Sequence, residues 1–341
     1  MAQRILAADI GGTSSRFGFF ILESGMSEPR LEHVVRLPTA QSDSFAGLLV
    51  RVFAEPRPFA AAACDLAVLA VPGAVENGFC SAPNIKWSID LRDIGCVGLR
   101  HGALINDFSA QAYGCRSSAA RGALVLQPGA ERSGGPDGPD ELAGPPASLG
   151  RAGQSAVMAV IGAGTGLGHC ALVPDGAGGS LAVPSEAGHA AFPFVGEEEN
   201  AYGEYVRRVA RLPFCHGDAI VTGSGLARLH AFLTGEELSP AEVTARLADS
   251  PRTVEWFARF YGRAARNYAL TVLAVGGVLL SGGVAARTPA LVQHPAFLAE
   301  FCNSVAYSGL LAGTPVSLNR NEDLGVFGAA AYGAQRLRKR G

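Results

Sequence analysis

Twice in this chain, two apolar runs are joined by a short glycine turn, and that repetition constrains the fold more than any other feature. The first copy is RILAADIGGTSSRFGFFILES, near the start, turning at Gly11-Gly12-Thr13. The second, SAVMAVIGAGTGLGHCALV, begins at Ser155 and turns around Gly164-Thr165-Gly166. Each reads as strand, tight turn and antiparallel strand. One such hairpin in each half predicts a duplicated architecture, with similar cores facing each other across a cleft.

The rest of the chain fits a two-domain α/β protein, and 341 residues are about right for two cores. Apolar runs at Cys64–Val71 and Ala103–Ile105 end in turn residues such as Pro72-Gly73. Helical patterns cover 200–211, 223–233, 240–248, 252–275 and 325–338, interrupted by strands at 278–282 and about 315–318. Residues 269–286, ALTVLAVGGVLLSGGVAA, carry no charge and are just long enough to cross a bilayer. Gly276-Gly277 divide them, however, and Val254, Phe257, Tyr261, Ala264, Tyr268, Val272 and Val275 recur upstream as one buried helix face. Helix, glycine stop and strand is the expectation, not a membrane span. Residues 128–154 are rich in Gly, Pro and small polar residues and bury too little apolar surface to offset their ordering entropy. A flexible loop is expected there, with a substrate lid as its functional reading.

Charge narrows the partners. A formal net charge of −2 offers no basic field for nucleic acid or an anionic membrane, so any bound phosphate must be held by local backbone geometry. The seven cysteines are scattered without a C-x-x-C pair, as suits thiols in a reducing cytoplasm. The first apolar run soon meets Asp9 and reads as a strand rather than a signal peptide.

Residues 9–13, DIGGT, carry the sharpest chemical signal. Gly11 and Gly12 let the backbone approach a ligand with N–H groups aimed at phosphate oxygens, and Thr13 adds a hydroxyl donor. Asp9, at the strand end, would face the metal accompanying a nucleoside triphosphate, directly or through water. A plain hairpin turn is the bland alternative. The stretch from Gly162 through Gly164, Thr165 and Gly166 to Gly168 is no Walker A loop, because no Gly-Lys-Ser/Thr follows. Leu167 stands where a dinucleotide fingerprint needs glycine, and HCALV reads as strand rather than helix. A second phosphate hairpin fits better.

In LINDFSAQAYG (104–114), Asp107 is either a helix cap or a carboxylate held at a strand end to take a proton from a substrate. Glu186 and His189, in SEAGH, can meet sugar hydroxyls, one accepting and the other donating. A structural pair is the alternative, and zinc lacks a cysteine cluster to support it. Asp218, in HGDAIVTGSG, reads alone as a surface or capping acid. The backbone of Gly282-Gly283 can lie against a flat adenine–ribose unit.

In this order, LAADIGGTSSRFGFF, LAVPGAV, LINDFSAQAYG, VIGAGTGLGHCALV, SEAGHAAF, IVTGSGLARL and VLLSGGVAAR resemble the bacterial glucokinase family, within the hexokinase–actin–Hsp70 ATPase superfamily. The resemblance covers nearly the whole chain except 128–154. It implies two ribonuclease-H-like α/β domains, 1–110 plus 325–341 and 111–324, with glucose in the cleft and ATP with Mg²⁺ beside it. It makes Asp107 the general base and Asn106, Glu186 and His189 sugar ligands. Asp9, Gly12 and Thr13 match the first phosphate motif, Gly164, Thr165 and Gly166 the second, and Gly282 and Gly283 the adenosine motif. A cytoplasmic homodimer acting on a small sugar is implied. Three departures stand out. Asp218 replaces a sugar-binding Glu, Ser14-Ser15 replace Asn-Ala, and the cysteine-rich zinc motif of the related repressor–kinase group is missing. A kinase for fructose, mannose or N-acetylglucosamine is the nearest alternative, and a non-catalytic sugar sensor the next.

Overall fold

The computed structural model describes residues 2–82, 84–130 and 156–339, so the expected loop at 128–154 falls almost wholly outside the described residues. The chain divides into two compact units, one of Met1–Arg121, Asp175–Pro184 and Asn321–Gly341, the other of Gly122–Pro174 and Ser185–Arg320.

The first unit contains strands β1 (Gln3–Ile10), β2 (Ser14–Leu22), β3 (Arg30–Pro38), β4 (Leu66–Val71), β5 (Phe79–Cys80), β6 (Ile89–Asp90) and β7 (Gly102–Asn106). Its main sheet runs β3-β2-β1-β4-β7, with β1 antiparallel to β2 and parallel to β4. Both faces of β1 are covered, which is why its sequence is a near-continuous apolar run rather than an alternation. Leu6, Ala8 and Ile10 point to the core built with Leu48, Leu49 and Val52 of helix Phe45–Ala54. Ile5 and Ala7 point the other way, to Val326, Ala329 and Ala330 of helix Leu324–Arg338.

The second unit repeats this plan. Its strands are β8 (Leu124–Gln127), β9 (Met158–Ala163), β10 (Leu167–Pro174), β12 (Gly277–Ser281) and β13 (Val316–Leu318), in the order β10-β9-β12-β13-β8. Strand β11 (Ser180–Ser185) straddles the boundary between the units. Again an antiparallel hairpin, β9–β10, is followed by strands parallel to its first member. The protein is thus α/β and built on a repeated plan, as the paired hairpins predict, with the ribonuclease-H-like units that the resemblance implies.

Boundaries differ from expectation where close packing decides them. Residues 111–121 fall in the first unit because helix Asp107–Gly114 lies against Leu324–Arg338 so tightly that a Cβ on Gly328 would meet the Ala110 carbonyl at 1.7 Å. Residues 175–184 join it through Ser180, whose N–H donates to Gln335 Oε1 at 3.0 Å and whose carbonyl accepts from Gln335 Nε2 at 2.8 Å. The long helix Pro251–Val272 buries Phe257, Tyr261 and Tyr268 as its spacing requires. It stops at Leu273, in the left-handed region at φ 51°, three residues ahead of the glycine pair. Gly276 instead admits the backbone of Val157, whose carbonyl a Cβ would meet at 2.9 Å. Among the described residues, no helix is long and apolar enough to cross a membrane.

Candidate functional site

The turn between β1 and β2 is braced from outside. Gly11 N–H donates to the Ser14 carbonyl at 3.1 Å, while the Thr39 hydroxyl donates to the Gly11 carbonyl at 2.7 Å. Thr39 N–H reaches the Thr13 carbonyl at 3.0 Å. The buried hydroxyls of Ser15 and Thr39 pair at 2.7 Å, which gives the departure at Ser15 a structural use. Neither Gly11 nor Gly12 has a positive φ. Gly12 serves close approach instead, since a Cβ there would meet the Asn84 carbonyl at 2.9 Å.

Asp9 ends β1 opposite Arg16. Burial pushes its carboxyl up to about 6; the Arg16 guanidinium, 4.0 Å away, opposes that shift and the Asp323 carboxylate adds to it. Arg16 is shared with Glu322 at 2.5 Å, and Asp323 is held by Arg36 at 2.7 Å. Mg²⁺ needs only one or two carboxylates when phosphates and water supply its other oxygens. One carboxylate at the glycine turn fits a metal carried in on phosphates, and a cation there would favour the anion that burial disfavours. Among the described residues, no group of three or more His, Cys, Asp or Glu side chains could hold a metal on its own.

In the same unit, β7 runs straight into helix Asp107–Gly114. The cap of that helix is Asn106, not Asp107: Asn106 Oδ1 accepts from Phe108 N–H at 2.9 Å and from Ser109 N–H at 3.1 Å. Its amide nitrogen donates to the Gly73 carbonyl at 3.2 Å, which fixes the side chain from both ends. Asp107 is the first helical residue, half-buried, with Oδ1 accepting from Phe108 N–H at 2.9 Å. The terminus, with its positive dipole end, favours a carboxylate anion at this position.

In the second unit, the β9–β10 turn closes through Gly164 N–H to the Gly166 carbonyl at 2.8 Å, leaving Thr165 exposed at its tip. Gly162 lies inside β9, paired with Gly168 and in register with Ser281, so it belongs to the ladder rather than the turn. Gly282 has φ 85°, and a Cβ there would meet the Ala163 carbonyl at 2.4 Å. It therefore sets the end of β12 directly against the start of the turn, while Gly283 opens the following short helix. The Gly282-Gly283 pair and the β9–β10 turn are neighbours within one unit.

Glu186 and His189 flank the single turn Ala187–His189, both exposed, with His189 Nε2 3.8 Å from Glu186 Oε2. The His216 ring lies 5.4 Å from that of His189. Asp218 Oδ1 accepts a hydrogen bond from the Leu167 N–H at the end of the β9–β10 turn. Each of these second-unit residues thus lies near another expected one: Gly282 beside the turn, Asp218 on it, and His189 beside Glu186. Sequence reasoning missed Thr39, Asn84 and His216, because strands or a helix separate each from its partner in the chain and no local pattern announces the meeting.

A family model described as glucokinase matches residues 6–336. A curated glucokinase of Stenotrophomonas maltophilia (strain K279a) is 30% identical, covering 98% of this chain and 96% of that one. Among solved structures, the glucokinase of an Antarctic psychrotroph is 23% identical, covers 97% of this chain and 98% of its own, and superposes with a TM-score of 0.76. Glucokinase from Balamuthia mandrillaris, solved in complex with glucose, is 19% identical, with coverage of 98% and 94% and a TM-score of 0.74. With duplicated ribonuclease-H-like sheets, two glycine hairpins and a family match that runs from β1 into the last helix, the chain belongs to the glucokinase family.

Proposed function

We propose that this protein transfers the γ-phosphoryl group of ATP to the 6-hydroxyl of glucose, with Asp107 as the general base. The observation that carries the reading is the division of labour at the start of helix Asp107–Gly114. Asn106 is the capping residue, so the cap does not need the carboxylate that follows it, which shares the Phe108 N–H that Asn106 already takes. Asp107 accepts the hydroxyl proton, and the fixed Asn106 amide orients the sugar. From the second unit, Glu186, His189 and the second carboxylate oxygen of Asp218 bind ring hydroxyls. Phosphoryl transfer asks chiefly for positioning and charge stabilisation. The backbone of Gly11, Gly12 and Thr13 and of Gly164, Thr165 and Gly166 cradles phosphates, and Gly282 and Gly283 border the adenosine. Mg²⁺, held near Asp9, supplies neutralisation of phosphate charge when bound. A cytoplasmic homodimer completes the reading, and light scattering on the purified chain checks the dimer.

Replacing Asp107 with Ala is expected to lower kcat by roughly 10²- to 10⁴-fold while glucose still binds, as seen by calorimetry. Full turnover in that variant would end the assignment. A kinase for another hexose is the second reading, favoured by Asp218, whose short side chain is already committed to Leu167. A panel of glucose, fructose, mannose and N-acetylglucosamine, followed by ADP release, decides between them.

A further inference from the structure

The segment from Cys215 to Gly223 touches two motifs at once. At one end, Phe192 N–H donates to the Cys215 carbonyl at 2.9 Å and Gly217 N–H to the Ala190 carbonyl at 3.3 Å, next to the Glu186–His189 loop. At the other end, Gly223 N–H donates to the Gly164 carbonyl at 3.1 Å, inside the phosphate turn. Asp218 stands between them. Its Oδ1 takes the Leu167 N–H and lies where Cβ atoms on Gly166 and Gly188 would come within 3.1 and 3.3 Å. The carboxylate therefore occupies a groove walled by one glycine from the phosphate turn and one from the sugar loop. Its own backbone is fixed as well: the Asp218 carbonyl accepts from Thr222 Oγ1 at 2.9 Å, and that hydroxyl caps helix Gly223–Thr234 by accepting from Gly225 N–H at 3.1 Å.

We infer that Asp218 is a positioning residue that ties the phosphate turn to the sugar loop, so that sugar binding and ATP binding strengthen each other. This rests on the sugar and phosphate assignments proposed above. The physical reason is the hydrogen bond from a backbone N–H of the turn to a side-chain oxygen whose own backbone is fixed, which ties the turn to the segment beside the sugar loop. A sugar hydroxyl drawing on the same carboxylate shifts the group that holds Leu167, and the turn carries that shift to the phosphates. By linkage, the effect is reciprocal.

Titration calorimetry on the whole chain measures this as the factor by which glucose tightens binding of a non-hydrolysable ATP analogue with Mg²⁺. A factor of about 5- to 150-fold is expected in the wild type. Asp218→Ala, and Asp218→Ser should the first fail to fold, are expected to bring it within about twofold of unity. Asp218→Asn keeps an acceptor for Leu167 N–H and is expected to keep most of the factor, even where loss of charge weakens sugar affinity. Hydrogen exchange at the Leu167 amide should quicken in the Ala variant alone. Full coupling in the Ala variant overturns the assignment, as does equal loss in Ala and Asn, which would trace the effect to charge on the sugar. A wild type that binds neither ligand fails at the kinase reading itself, and the coupling falls with it.

Discussion

Asp9 is held under two opposing demands. Its proposed work needs an anion, yet burial pushes its carboxyl up to about 6, from an ordinary 3.8. A folded-state value above the unfolded one means that the group's favourable contribution is fully present below pH 3.8 and is lost as pH rises through 6. A shift of this size corresponds to roughly 3 kcal/mol. Asp9→Asn should therefore raise the thermal midpoint at pH 7 and flatten the fall in stability between pH 4 and 6, while phosphorylation collapses. A midpoint at pH 7 no higher than wild type would show that the buried charge costs nothing. Asn106 is open to a similar dissection. Asn106→Ala removes the cap and should cost about 1 kcal/mol, measured by urea unfolding. Asn106→Ser keeps a capping oxygen and should lose only a few tenths. Both lose the amide that reaches Gly73, so both should raise the KM for glucose.

Elements in this protein meet at glycines, and the closest meeting holds the helix that begins with Asp107. A methyl group on Gly328 would strike the Ala110 carbonyl, and one on Gly114 would come within 2.6 Å of the Leu324 carbonyl. Overpacking of this kind costs about 1–3 kcal/mol when the neighbours move apart, and here the neighbour is the backbone of the Asp107 helix. Gly328→Ala is thus expected to lower stability by about that amount and kcat along with it, read by urea unfolding and steady-state assay. Unchanged kcat with lowered stability would separate the helix contact from the site. Gly328 also marks where the sequence stops being readable. The hairpins at Gly11-Gly12 and Gly164-Gly166 are legible because continuous apolar runs and turn glycines are local signals. The stop at Leu273 is not, since a non-glycine residue adopts the left-handed region only when the surrounding packing imposes it. The short helices Gly283–Arg287, Ala290–Gln293 and Pro295–Phe301 have too few turns for a period to show. Thr39 under the first turn and His216 beside His189 carry no mark of their partners in the sequence.

Across the whole molecule, the two units share a plan, an antiparallel hairpin followed by parallel strands, and each holds a buried group whose shift acts against the other's. In the second unit, His169 is buried between the Leu167 carbonyl, 3.1 Å from Nδ1, and the edge of the Tyr268 ring, 4.6 Å between centroids. Burial pulls its imidazole down to about 4, against which the bond to Leu167 only partly works. A folded-state value below the unfolded 6.5 makes its contribution complete above pH 6.5 and lost as pH falls through 4, a span worth about 3 kcal/mol. Asp9, in the first unit, gains over much of the same range. The chain has two tryptophans, and they report separately: Trp87 lies in the first unit, bonded to the Ser42 carbonyl at 2.7 Å, and Trp256 is buried in the second. Urea titrations at pH 7 and pH 4.5 on Trp87→Phe, whose fluorescence then follows Trp256, should show the midpoint falling with acid. The same titrations on Trp256→Phe, following Trp87, should show a smaller fall or a rise. Adding His169→Gln, which keeps a neutral donor for Leu167, should remove most of the acid loss seen through Trp256 and leave the Trp87 signal where it was. Equal shifts at both tryptophans in that variant would mean that the two units unfold as one, with the linkages of His169 and Asp9 summed over the whole chain.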